Sequence, residues 1–569
     1  MRTVRYLQLA ALLGCALVLP RKTYAEGEGL MPGGAAAISR GGAIAAKPVD
    51  ALTLLHNPAG LTALDGHQGH YGLDMQVDSI CVEPYGYYGW GIDLPEMRPG
   101  TAVNLDVRRS EFGDPASRNY GRRPLDKVCN SGAIVPTPQL SASLRIHERV
   151  WLALGMVAPV LVTGSQWGGS DGTIAVGDGA RPTPTRYNVV RTDVKFAFNP
   201  TIGAAVKATN WLSLGLALQV AMGSADSYQV MALRAGTSPS SDMMTKVNAS
   251  DYFVPTLVFG VYAKPNKYLR LGATFNWSEG IDGSGELTFY TNHYHHGAVG
   301  DEFIPYENKP VKVDRVRAPV PISATLAVRY VQPLPGADET SKDPLNSELF
   351  DIELDASYTA SGQVAPYRAS VANDFQLEFR RANNTPAEPL DVKASSLSAL
   401  TADRHGLDVW ALRLGGSWTA LPGVLQASLG AFYQSRGVEA AYVAIDNYGL
   451  ARIGLGVGAR VRLGPVDVTA AYSHIFQETV QIAPPEHEPR DQASDDPARG
   501  FDQRIYEDGQ LSSAPVRDPR APSPSEADGV ASVRQGAVFE SEDVRARVIN
   551  AGKYTAGFNV FSLAVTHRF

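Results

Sequence analysis

From His67 onward the chain repeats one arrangement: short runs in which every second residue is apolar, the signature of a strand whose two faces meet different surroundings. In one run Leu212, Leu214, Leu216, Leu218 and Val220 alternate with Ser213, Gly215, Ala217 and Gln219. In another, Ile453, Leu455, Val457, Ala459, Val461 and Leu463 alternate with Arg452, Gly454, Gly456, Gly458, Arg460 and Arg462. Such runs predict strands at 69–77, 138–146, 150–162, 196–207, 211–222, 252–263, 268–278, 317–330, 350–359, 407–418, 424–434, 451–463, 466–476 and 553–569, about fourteen in all.

Alternation alone fits two architectures. A soluble sandwich would bury the apolar face, whereas a membrane barrel would turn it toward lipid and line its lumen with the small or charged face. The connections separate the two. Short turns at 147–149, 208–210, 265–267, 421–423 and 464–465 alternate with long connections at 78–137, 163–195, 223–251, 279–316, 360–406 and 477–552. A barrel inserted from the periplasm has this asymmetry, with tight turns inside and long loops outside. The expected fold is therefore all-β, a 14-stranded antiparallel transmembrane β-barrel spanning 67–569. Connection 331–349 departs from the rule, which means either a misplaced strand or an insertion in a periplasmic turn. Connection 477–552, rich in Pro, Ser and charged residues, reads as a flexible external loop. Aromatic residues at strand ends (Trp90, Trp151, Trp211, Trp277, Trp410, Trp418 and Tyr472) suit the interfacial girdles of such a barrel.

Ahead of the strands lies a different kind of sequence. Arg2 and Arg5 precede an apolar run over 6–20, and Thr23-Tyr24-Ala25 offers small residues for cleavage, so 1–25 reads as a signal peptide. A competing reading takes Leu12-Leu13-Gly14-Cys15 as a lipoprotein site, although apolar sequence continues past Cys15. Residues 26–66 are rich in Gly and Ala and end in His56-Asn57-Pro58-Ala59-Gly60-Leu61. Asn-Pro initiates a turn, because the proline ring fixes its own φ and moves the preceding residue out of the α region. Small residues permit tight enclosure, so this segment is expected to sit inside the barrel as a hatch.

The formal charge of −7 supplies no basic stripe and excludes nucleic acid as a partner. Export leaves Cys81 and Cys129, an even pair that is most simply one disulfide stapling a loop, the alternative being two free thiols. Asn292-His293-Tyr294-His295-His296 lacks a matching carboxylate or cysteine spacing, so no metal is assigned. Asp351, Glu353 and Asp355 share one strand face and are read as a lumen row balanced by Arg413, Arg452, Arg460 and Arg462. Any of those arginines also suits a substrate carboxylate. Gly164-Ser165-Gln166-Trp167-Gly168 lies on a loop rather than between strand and helix, so it is not a nucleophile elbow, and neither an enzyme nor a cofactor is indicated.

With these features together the chain resembles the FadL family of outer-membrane transporters for long-chain fatty acids and other hydrophobic compounds. The carrying residues are the Gly/Ala run over 33–46 and Asn57-Pro58-Ala59-Gly60-Leu61. To these add Val157-Ala158-Pro159, Val254-Pro255, Val320-Pro321 and Asn550-Ala551-Gly552-Lys553-Tyr554. The closing alternation to Phe569 resembles the signal read by the barrel-insertion machinery.

The resemblance implies a monomer in the outer membrane of a Gram-negative bacterium, in contact with its lipids. It implies passive uptake of fatty acids or hydrocarbons, with lateral exit into the membrane through a gap made by a kink in the third strand. Asn57, Pro58 and Ala59 would form the hatch segment facing that gap. Pro159 is the candidate for the kink, set against the plainer reading that it sits at the upper rim where pairing ends. The rival function is a structural or adhesive barrel whose loops bind partners at the surface.

Overall fold

The structure, a computed structural model, describes residues 31–84, 126–131, 135–157, 165–176, 179–186, 188–232, 242–291, 293, 303–338, 341–363, 367–381, 386, 389–392, 400–402, 406–445, 449–482, 505–506, 546–547 and 552–569. The expected signal peptide, the first residues of the hatch, Trp90, Pro159 and nearly all of connection 477–552 lie outside the described residues.

Fourteen strands form the wall: β1 Gln68–Pro84, β2 Val135–His147, β3 Val150–Val157, β4 Arg191–Lys207, β5 Leu212–Ala232, β6 Asp242–Ala263, β7 Leu269–Ser278, β8 Ser323–Pro333, β9 Glu348–Thr359, β10 Val409–Leu421, β11 Leu425–Gln434, β12 Arg452–Leu463, β13 Val466–Gln477 and β14 Gly552–Arg568. Each pairs antiparallel with the next, and β14 returns to β1 from Gln68↔Arg568 to Pro84↔Gly552, closing the ring. Closure is what lipid demands, because an unpaired N–H or C=O in hydrocarbon has no water to turn to. Among the described residues no helix is long and apolar enough to cross a membrane.

The faces follow the alternation. Leu214, Leu216, Leu218, Ile453, Leu455 and Val457 are exposed on the outside, while Arg452, Arg460 and Asp467 point inward and are buried. In lipid each covered leucine is worth roughly 1.5–3 kcal/mol. Trp211, Trp410 and Trp418 stand exposed at strand ends as the girdle reading expects. Trp151 does not: it is completely buried and faces the lumen.

On the outer side the wall outgrows the membrane. β5 and β6 run to 21 and 22 residues, and further segments, among them Ile281–Thr291, Val311–Ala318 and Tyr367–Val371, join the same sheet beyond β6. Connections 223–251, 279–316 and 360–406, expected as loops, thus contain strand. Arg317 belongs to the external segment, and β8 itself begins at Ser323. Pro319 and Pro321 stand between them and cannot donate to a ladder.

Connection 331–349 is an insertion and not a misplaced strand. It carries a one-turn helix, α3 Pro344–Ser347, whose first turn is capped by Asp343 accepting from the Leu345 amide. Arg462 and Arg568, on β12 and β14, hold the Asp343 carboxylate from the barrel floor. Burial would raise that carboxyl's pKa, but the Arg462 bonds and the Arg568 charge prevail and keep it below the usual range.

Cys81 of β1 is disulfide-bonded to Cys129 of the short strand Val128–Cys129 beside it. Neither thiol of the purified protein is expected to react with a maleimide probe until reductant is added; labelling at Cys81 or Cys129 without it would contradict the bond.

Candidate functional site

Residues 31–64 fill the lumen. The segment has little regular structure: a one-turn helix α1 Ala35–Ile38, a loop over 39–52, a second turn α2 Thr53–His56 and a 3-10 turn Pro58–Ala63. Its alanines and glycines let backbone lie against the wall. Among the closest approaches are Gly430 of β11, where a Cβ would stand 2.0 Å from the Arg40 carbonyl carbon, and Gly215 of β5, where it would stand 2.2 Å from the Ala59 nitrogen. No residue larger than glycine fits either place without moving one of the two chains.

The leading half is held by charge. Arg40 reaches Asp351 at 2.8 Å and Glu353 at 2.9 Å, donates to Ser417 Oγ at 2.6 Å and, through Nε, to its own loop at Ala43 O. Lys47 meets Asp351, which Arg329 also approaches at 3.2 Å. The hatch backbone completes the dock: the Ile44 and Ala45 amides donate to Asp355 at 3.0 and 3.1 Å, and the Ala46 amide donates to Glu353 at 2.7 Å. Buried ions persist only when each is paired and hydrogen-bonded, and here the pairing fixes where the hatch sits.

The acidic row is therefore a receptor for the hatch, and of the arginines set against it in the sequence Arg413 stands opposite Asp355 on the next strand. Arg413 donates to Ser357 Oγ and Arg452 to Gln477, while Arg460 and Arg462 bind Asp467. Arg40 and Lys47 were missed. The available signal was a lone pair of cations in an otherwise small-residue segment preceding an inward-facing acidic row.

The trailing half is held by Asn57 and by apolar packing. Asn57 accepts from the Ala59 amide at 3.2 Å, capping the 3-10 turn, and donates to Ala45 O at 2.8 Å and to Val261 O of β6 at 2.9 Å. Pro58 and Ala59 lie against Gly215 and Gly260, on β5 and β6. Leu54 faces β3 and β4 at Gly155 and Gly203, and with Leu61 and Leu64 packs on Trp151, Ala205 and Val258. β3 is described up to Val157, so the part of it expected to kink at Pro159 lies outside the described residues. Of the histidine cluster only His293 is described, its ring against Asp171 O.

Above the hatch the lumen changes character. Inward residues of β1 run His70, Asp74, Gln76 and Asp78, then Ile80 and Val82; those of β14 run Thr566 and Ser562, then Val560, Phe558 and Tyr554. Ile475 of β13, Phe432 of β11 and, from the outer connections, Trp167 and Ile445 join them, and the cluster rests on Met31, Ala35 and Ile38 of the hatch. A continuous apolar column thus leads from the outer connections down to the plug.

These features define a class: a closed fourteen-stranded transmembrane barrel, plugged by its own N-terminal segment and apolar above the plug. Among solved structures the chain is similar to a FadL homologue of Pseudomonas aeruginosa, at 16% identity and a TM-score of 0.59 over 95% of this chain and 100% of that one. It is similar also to the toluene transporter TodX of P. putida, at 13% identity and a TM-score of 0.52 over 94% of this chain and 98% of that one. The resemblance to the FadL family read from the sequence holds at the level of the fold. No family model matches the chain, and no curated protein is similar to it in sequence.

Proposed function

We propose that the protein is an outer-membrane channel for passive uptake of hydrophobic compounds, long-chain fatty acids or hydrocarbons, and acts as a monomer without cofactor or catalysis. The observation that carries this reading is the apolar column. A hydrophilic porin needs a wet lumen, whereas here Phe558, Ile475, Trp167 and Tyr554 are packed against one another and buried, an apolar interior that an oily solute enters by parting these side chains, at about 0.8 kcal/mol gained for each CH₂ buried. The two similar barrels, a FadL homologue and a toluene transporter, point the same way.

The column ends on a hatch held by ion pairs at one half and packing at the other, so a solute at its foot meets a stopper rather than an open bore. Sideways release into the membrane, with Asn57, Pro58 and Ala59 beside the exit and a kink at Pro159 opening it, is the route we assign. Solute in this scheme moves down its own gradient, and the hatch serves to turn it aside.

The test is a polar column. Phe558→Asn with Ile475→Asn is expected to lower the initial uptake of a labelled long-chain fatty acid and of toluene by roughly tenfold or more. An amide without a partner on an apolar path costs about 1–3 kcal/mol, and 1.4 kcal/mol is a factor of ten. Unchanged uptake in a variant that still shows the heat-modifiable migration of a folded barrel would remove the column from the mechanism.

A further inference from the structure

The β8–β9 connection, the one short-side turn that breaks the length rule, closes a cavity. Residues 334–338, 341–343 and α3 lie beneath the end of the hatch and border about 240 Å³ below Thr62 and Ala63. Six cationic side chains line it, Lys207, Lys264, Lys267, Arg270, Arg329 and Lys342, against two acids, Asp338 and Glu348. Arg329 and Glu348 are paired with each other.

Two of these cations spend their hydrogen bonds on neutral carbonyl oxygens. Lys342 donates to the carbonyls of Thr62 and Leu64 at 2.9 and 3.2 Å, and Arg270 to those of Asn266 and Leu269 at 2.8 and 3.0 Å. The Lys342 and Lys207 ammoniums lie beside the same ring. Both, with Arg145, crowd the buried ring of Trp151, at 4.5, 5.3 and 5.5 Å from its centre. Burial first, then the Lys207 and Arg145 charges, pull Lys342 down to about 8. Like charges gathered in a half-closed space repel, and an anion placed among them relieves that repulsion.

We propose that this cavity is an anion site on the periplasmic face, binding the carboxylate or phosphate headgroup of an amphiphile. The volume equals roughly eight waters, enough for a headgroup and a few carbons but not for a whole lipid. Trp211 and Tyr262 supply an apolar wall beside the charges. The site stands apart from the uptake reading, since it lies on the other side of the hatch from the apolar column.

The experiment is calorimetry on the purified full-length protein in a neutral detergent, with decanoate, inorganic phosphate and phosphatidylglycerol as separate probes and decanol as the uncharged control. Saturable binding of at least one anion is expected, weakened tenfold or more in Lys207→Gln/Lys342→Gln and unchanged in Lys312→Gln on the external sheet. Lys207→Gln alone, which leaves the hatch contacts of Lys342 intact, is expected to weaken it several-fold. Decanoate binding assigns the site to a carboxylate; binding of phosphatidylglycerol assigns it to a lipid phosphate, and binding of inorganic phosphate alone to the free ion. No saturable anion binding, binding indifferent to both lysine variants, or decanol binding equal to decanoate would each overturn the proposal.

Discussion

Arg40→Met is expected to unseat the leading half of the hatch and turn a closed barrel into a leaky one. The guanidinium is almost entirely buried and ties three partners together, Asp351, Glu353 and Ser417, while also bracing its own loop at Ala43. Removing one member of a buried ion network costs about 3–5 kcal/mol, since the remaining carboxylates lose their counter-charge in a site that water reaches poorly. At 1.4 kcal/mol per decade, that raises the population of displaced hatch roughly a hundred- to several thousandfold.

The measurement is ion conductance in planar bilayers beside the melting of the barrel. Conductance is expected to rise sharply while the wall, whose ladder does not involve Arg40, stays assembled. A double variant with Glu353→Gln is expected to recover part of the loss, because it withdraws a charge that Arg40 no longer neutralises. Arg436→Ala breaks an ion pair with Glu478 that is partly open to solvent, and is expected to matter by no more than about 1 kcal/mol. Conductance in Arg40→Met equal to that of the unaltered protein would mean that the ion network does not hold the plug.

Gly215→Ala is expected to disturb the other half, although glycine to alanine within a strand is ordinarily mild or favourable. The added methyl would lie 2.2 Å from the Ala59 nitrogen and 2.4 Å from the Pro58 carbonyl carbon, both backbone atoms that no rotamer change can move aside. Forcing atoms into a filled space costs about 1–3 kcal/mol. The cost falls on the Asn57–Ala59 segment, where the Asn57 bond to Val261 O is the natural point of release.

Faster amide exchange at Gly60, which donates to Asn57 O, and altered uptake of hydrophobic solute are the expected signatures. Gly69→Ala in β1 is the control, since a Cβ there meets nothing nearer than 3.6 Å. Equal exchange and uptake in the two variants would mean that the close packing at Gly215 has no functional consequence.

Strands were legible wherever one parity stayed apolar, and the places where they were cut short are informative. The alternation predicts a first strand that stops at Val77, and the apolar parity changes just beyond it: Tyr71, Leu73, Met75 and Val77 face out, whereas Ile80 and Val82 face in. The strand itself continues to Pro84. A change of parity is what a strand needs when it leaves lipid, where the outside must be apolar, and enters water beside an apolar lumen. β14 makes the same change between Phe561 and Val560. Read as an end of structure, it was in fact the start of the column.

The wall and the presence of a small-residue leader can be read along the chain, because period-two alternation and loop asymmetry are local properties that survive without neighbours. What the leader binds depends on the assembled ring. Arg40 and Lys47 find their counter-charges about three hundred residues away, and Asp343 finds Arg462 and Arg568 on strands from elsewhere in the ring. Which buried ion meets which is set by closure and register, and these bring together residues that no local pattern connects.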